Sequence, residues 1–93
     1  MPLWAVENDL NSHGGGDLIA QNPKTVFCEN KNVIHEKNPA GPDALVKGVH
    51  SSPAAVNGSA NVFVYSQKAH RHNDKRACGA STVVLGQRTV FVN

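Results

Sequence analysis

The sequence predicts a small, mainly β domain built from short strands and many turns, with at most one short helix. Three observations carry this: a repeated β-type pentapeptide, turn-forming residues throughout the chain, and almost no helical periodicity.

The repeat is Lys24-Thr25-Val26-Phe27-Cys28, Ala60-Asn61-Val62-Phe63-Val64 and Arg88-Thr89-Val90-Phe91-Val92. Each copy reads polar or small twice, then Val, Phe and a small apolar residue. Each follows a turn former or small polar residue: Pro23, Ser59 with Gly58, and Gln87 with Gly86. Each therefore reads as a short strand entered from a tight turn. The phenylalanines stand 36 and then 28 residues apart, too uneven a spacing for an open solenoid. Further strand candidates run from Asn32 to His35, Lys68 to Arg71 and Thr82 to Leu85. Gly14-Gly15-Gly16, Asn38-Pro39-Ala40-Gly41-Pro42 and Asn57-Gly58 punctuate the rest. Only Pro42 to Val46 offers a turn of helix, with Pro42 near its start.

A chain of 93 residues is one domain, spanning residues 1–93. A domain of this size buries only about 60–65% of the surface its unfolded chain exposes. Val, Leu, Ile and Phe number 22, a thin supply for a self-sufficient core. Small domains with thin cores take stability from a disulfide, a metal or a partner. Net charge is +2, from nine basic and seven acidic residues. The densest basic cluster, Lys68 to Arg76, is interrupted, and aromatics are few, which argues against a nucleic-acid partner. No apolar run is long enough to span a bilayer, and the N-terminus lacks a signal peptide's basic start and apolar run. Synthesis in the cytoplasm keeps Cys28 and Cys78 reduced, favouring metal over a disulfide between them.

His13, His35, His50, His70 and His72 are the metal candidates. His13 precedes three glycines, which let the backbone fold tightly around an ion. His70 and Cys78 flank a polar stretch with the look of a hairpin loop, and Gly79 frees the backbone beside Cys78. His50 stands before the turn signal Ser51-Ser52-Pro53. Three histidines and one cysteine would fill a tetrahedral Zn²⁺ shell with no position left for water, a structural rather than catalytic arrangement. No C-x-x-C or H-x₃-H pair occurs, so spacing does not choose among the histidines. Cys28 occupies an apolar strand position in its repeat and reads as a packed core thiol. Asp17, Asp43, Glu29 and Glu36 read as solvated turn or surface residues. No nucleophile–base pattern, GxGxxG or P-loop occurs.

The run Asn61-Val62-Phe63-Val64-Tyr65-Ser66-Gln67-Lys68-Ala69-His70-Arg71-His72-Asn73-Asp74-Lys75-Arg76-Ala77-Cys78-Gly79-Ala80 resembles the second half of a PAAR-repeat domain. The ending Gly86-Gln87-Arg88-Thr89-Val90-Phe91-Val92-Asn93 resembles that family's ending, and Ser12-His13-Gly14-Gly15 its beginning. Gly48-Val49-His50 falls where the family often carries a histidine. The Pro-Ala-Ala-Arg tetrapeptide itself is replaced, by Lys68-Ala69-His70-Arg71 at one place and Asn32-Val33-Ile34-His35 at the other. Asn73-Asp74 stands for the usual Gly-Asp, which marks a divergent member.

The resemblance implies a conical, pyramid-like fold with one structural zinc near its apex, held by His13, His50, His70 and Cys78. His72, two residues from His70, could replace a ligand, and His35 takes the place of the motif arginine. The implied function is non-enzymatic: a tip that caps and sharpens a trimeric β-helical spike for membrane piercing. The spike belongs to a contractile phage tail or a type VI secretion system. The partners are then the spike trimer, one tip to each, and transiently a target membrane, with no small-molecule substrate. The location is the virion's tail tip, or the bacterial cytoplasm followed by secretion with the spike. A small metal-dependent nuclease, suggested by His70-Arg71-His72-Asn73-Asp74, is the alternative. It lacks the strand-then-helix pattern such enzymes use.

Overall fold

The computed structural model describes residues 1–21, 23–85 and 87–93; Gly86, read above as a turn former, lies outside the described residues. Among the described residues, six two-residue strands form three antiparallel pairs. β1 (Leu10–Asn11) pairs with β6 (Thr82–Val83), β2 (Phe27–Cys28) with β3 (Lys31–Asn32), and β4 (Phe63–Val64) with β5 (Gln67–Lys68). Isolated antiparallel bridges join the remaining segments. The mainly β expectation holds. Among the described residues the only helical element is a 3₁₀ turn at Gly48–His50. The helical turn expected over Pro42 to Val46 does not form. Asp43 Oδ1 instead accepts the Leu45 N–H at 2.9 Å, and Val46 takes a left-handed φ of 52°, so the chain turns back on itself.

The segments close into a ring with pseudo-threefold symmetry. Ala5 N–H donates to His70 O, His70 N–H to Ile34 O, and Ile34 N–H to Ala5 O, at 2.9, 3.0 and 2.9 Å. Three matching bonds run outward from this ring: Trp4, Val33 and Ala69 donate to the carbonyls of Val90, Val26 and Val62. Three matching turns follow it, Val6–Asp9, His35–Asn38 and Arg71–Asp74. In each, the fourth residue's side chain accepts the first residue's N–H at 2.8 Å. The third residue of each turn is left-handed: Asn8, Lys37 and Asn73, with φ of 74°, 75° and 71°. The repeat visible in the sequence is thus one part of a longer structural repeat. Its third copy joins the first and last segments described, since Phe91 bridges Leu3 and Val92 N–H donates to Pro2 O at 2.8 Å. Phe91 contributes only that bridge, whereas its counterparts Phe27 and Phe63 lie in strands. The N-terminal segment from Leu3 to Asn11, which has no strand pattern in the sequence, supplies one side of the ring.

Both complete hairpins turn through two left-handed residues, Glu29-Asn30 and Tyr65-Ser66. Such turns ordinarily use Asn-Gly or Asp-Gly, because φ above zero is costly for other residues. Side-chain contacts to the next repeat offset that cost here. Tyr65 Oη accepts the Thr25 and Val26 N–H groups at 2.8 and 2.9 Å. Glu29 Oε2 accepts the Arg88 N–H and the Thr89 hydroxyl at 3.0 and 2.6 Å.

The core is split in two. Ala5, Leu18, Ile34, Ala40, Ala55 and Val84 pack on one side, and Val6, Cys28, Val33 and Val64 on the other. Cys28 is a buried free thiol, as its apolar position in the repeat implies. Arg76, only 2% exposed, lies between the ring and the loops described below. Its guanidinium donates to Gly16 O, Pro53 O, Asp9 O and Thr82 Oγ1. Burial lowers its pKa to about 10, so it stays charged at neutral pH.

Tight approach of the repeats makes two glycines very unequal. A Cβ on Gly58 would stand 2.4 Å from the Ala69 carbonyl oxygen, whereas one on Gly41 would meet nothing within 4 Å. Gly58→Ala is expected to cost roughly 1–3 kcal/mol through forced backbone shifts. Gly41→Ala should be neutral or gain about 0.4–1 kcal/mol. Denaturant unfolding of the two variants checks this, and a larger loss at Gly41 contradicts the packing described.

Candidate metal centre

Three loops, residues 12–17, 41–54 and 77–81, each follow one of the three turns and run to the paired segments that begin at Leu18, Ala55 and Thr82. They converge on one spot. His13 comes from the first, Asp43 and His50 from the second, and Cys78 from the third, with one ligand atom of each within 4.8 Å of the others. Local structure explains how each arrives. Gly14, Gly15 and Gly16 all have positive φ, which folds the chain back directly after His13. The 3₁₀ turn at Gly48–His50 returns His50 beside Asp43, whose N–H donates to His50 O at 3.0 Å. Gly79, with φ of 88°, lets the third loop turn beside Cys78.

His13 Nδ1 and His50 Nδ1 lie 3.3 and 3.0 Å from Asp43 Oδ2, and Cys78 Sγ lies 3.8 Å from His13 Nδ1. Zinc–nitrogen, zinc–oxygen and zinc–sulfur bonds of about 2.0–2.3 Å give a tetrahedron edges of about 3.3–3.6 Å. The 3.0 and 3.3 Å separations are of that order, the others run up to 4.8 Å, and the donor chemistry is such that the group could hold a metal ion. Burial alone would raise the pKa of Asp43, but hydrogen bonds from His50, Leu45 N–H, Cys78 and Asn11 outweigh it. They hold its carboxyl well below the ordinary carboxylate range. An anionic oxygen is thus ready to ligate at any physiological pH.

Of the four residues expected to bind metal, His13, His50 and Cys78 come together and His70 does not. His70 lies on the backbone ring, fully buried. Its Nδ1 is 2.6 Å from Asn57 O and its Nε2 is 2.6 Å from Thr82 Oγ1. A carbonyl only accepts, so Nδ1 carries the proton and Nε2 accepts from the hydroxyl. Thr82 Oγ1 in turn accepts Arg76 Nε–H at 2.6 Å. Both ring nitrogens are committed to the fold. Asp43 completes the quartet instead, and it is 2% exposed rather than the solvated residue its loop setting suggests. The available signal was its position seven residues before His50 in one turn-rich loop. Neither alternative histidine joins the group. His72 Nδ1 accepts Val84 N–H at 3.0 Å, and His35 packs edge-on against Tyr65.

Compared with protein-family models the sequence matches none, and no curated protein matches it either.

Two expectations follow from this geometry. Asp43→Ala should abolish stoichiometric metal binding, while His70→Gln should retain the metal and lose roughly 1–3 kcal/mol of stability from disrupted buried hydrogen bonds. Elemental analysis with denaturant melts reads both, and metal loss confined to His70→Gln would overturn the quartet.

Burial is the main reason the His70 pKa falls to about 4. The unfolded chain, with an ordinary histidine there, takes up a proton first as pH falls. The His70 contribution to stability is therefore full above about 6.5, declines between about 6.5 and 4, and levels off below, a loss of about 3 kcal/mol. NMR of the His70 ring should show it neutral down to that lower limit. A ring titrating near 6.5 in the folded protein would refute its burial as a neutral group.

Proposed function

We propose that this chain is a structural spike tip: a one-copy cap for a trimeric β-helical partner, rigidified at its other end by a single structural zinc. The observation that carries this reading is the exposed aromatic triplet at equivalent positions of the closed ring. Phe27, Phe63 and Phe91 are 55%, 56% and 50% exposed, and each is followed by a buried residue: Cys28, Val64 and Val92. Phenylalanine left in water at three equivalent places calls for a cover, since burying such a side chain is worth about 1.5–3 kcal/mol. A single asymmetric chain presents three equal contacts only to a partner with threefold symmetry.

On this reading the loops that carry His13, Asp43, His50 and Cys78 form the tip. The described residues form two small apolar clusters, so a narrow point needs a cross-link that does not depend on a core. Zinc suits the two nitrogens, one carboxylate oxygen and one sulfur, and all four positions are then filled by protein. The resemblance to PAAR-repeat proteins supports the same assignment, with the loop end meeting a target membrane in transit. On this reading the chain resides in a phage tail tip or travels with a bacterial secretion spike, and it performs no catalysis.

One cap should bind three spike chains, and light scattering of the purified complex should give that 3:1 mass. Phe27→Ser, Phe63→Ser and Phe91→Ser should each weaken the complex by a similar factor. A stable 3:3 assembly, or strong dependence on only one of the three, would sink the proposal.

A further inference from the structure

Asn11 lies on β1 opposite Thr82 and is 3% exposed. Its side chain reaches all three ligand loops. Nδ2 donates to Asp43 Oδ2 at 3.3 Å and points to Cys78 Sγ at 3.9 Å, while Oδ1 accepts the His13 N–H at 2.9 Å. An amide nitrogen has two hydrogens, enough to serve both of the candidate ligands that carry negative charge when bound to metal. The backbone of Asn11 also frames the first loop, donating to Gly15 O and accepting from Gly14 N–H. Gly16 leaves room for the amide. A Cβ there would stand 2.6 Å from Asn11 Nδ2.

The ring symmetry does not demand this residue. The equivalent bridge positions in the other two repeats hold Ala40, opposite Leu18, and Arg76, opposite Ala55. The asparagine occurs only in the repeat where its amide meets the ligands.

We infer that Asn11 is a positioning residue, whose side-chain amide holds Asp43, Cys78 and the His13 backbone in register before the ion arrives. The inference rests on the proposal that the quartet binds metal. Hydrogen bonds to ligating atoms preorganise a site and moderate the charge on its donors. Removing such partners typically costs about 10–100-fold in metal affinity.

The test uses the full chain with Zn²⁺ or Co²⁺ as the probe. Asn11→Ala deletes the amide, and Asn11→Leu deletes its hydrogen bonds while keeping its volume. Both variants should lose about 10–100-fold in zinc affinity against a competing chelator. Co²⁺-saturated variants should show the sulfur-to-cobalt band moved to longer wavelength, because the thiolate has lost a donor. Leu18→Ala serves as the structural control, lowering the melting temperature while keeping the wild-type cobalt spectrum. Affinity and spectrum unchanged in both variants, beside a wild type that binds one equivalent, would overturn the inference and leave the metal site standing. Should both variants stay unfolded at saturating zinc, Asn11 belongs to the core and the inference falls. A wild type that binds neither ion defeats the quartet and the inference together.

Discussion

Three backbone hydrogen bonds, running from Ala5 to His70, from His70 to Ile34 and from Ile34 back to Ala5, set the geometry on which the other elements depend. Strands of two residues have little stability alone, and three isolated two-stranded pairs would not hold a fold together. Closing the ring gives each short segment two neighbours and satisfies buried amides that a lone hairpin would leave exposed. It also explains why the segment around Leu3 meets the segment around Phe91. The third repeat is completed by Phe91 and Val92 lying against Leu3 and Pro2.

Symmetry of the backbone leaves the side chains free to differ. At one set of equivalent positions stand Asn11, Ala40 and Arg76. Alanine fills the apolar core, asparagine serves the ligand loops, and the arginine clamps the carbonyls of Gly16, Pro53 and Asp9. The buried guanidinium makes four hydrogen bonds to neutral oxygens, and its charge lies near Asp43 and Cys78. A buried cation attracts the nearby Asp43 carboxylate, a form that ligates metal. The polar interior and the candidate centre are therefore one electrostatic unit. His70, through Thr82, belongs to the supporting half of that unit rather than to the ligand set.

Much of the fold was legible in the sequence. The Val-Phe repeats around Phe27, Phe63 and Phe91, the turn formers between them and the missing helical period sufficed for a small β domain. Cys28 was readable as a core thiol from its place in the repeat. His13, His50 and Cys78 stood out as metal candidates beside glycines and turns, but the full set, with His70 in it, came only from the resemblance to PAAR-repeat proteins. Local chemistry acts over a few residues, and these features are all local.

What only the tertiary structure decided depends on contacts between distant segments. Closure of the ring joins Ala5, Ile34 and His70, which no local pattern relates. The role of His70 follows from burial beside Asn57 and Thr82, and an isolated histidine in a polar stretch carries no sign of it. Asp43 looks like any turn aspartate until the loops bring it against two imidazoles and the Asn11 amide. Sequence determines which groups are available and where the chain can turn. The ring then decides which of those groups meet, because only closure brings the three loops to one point.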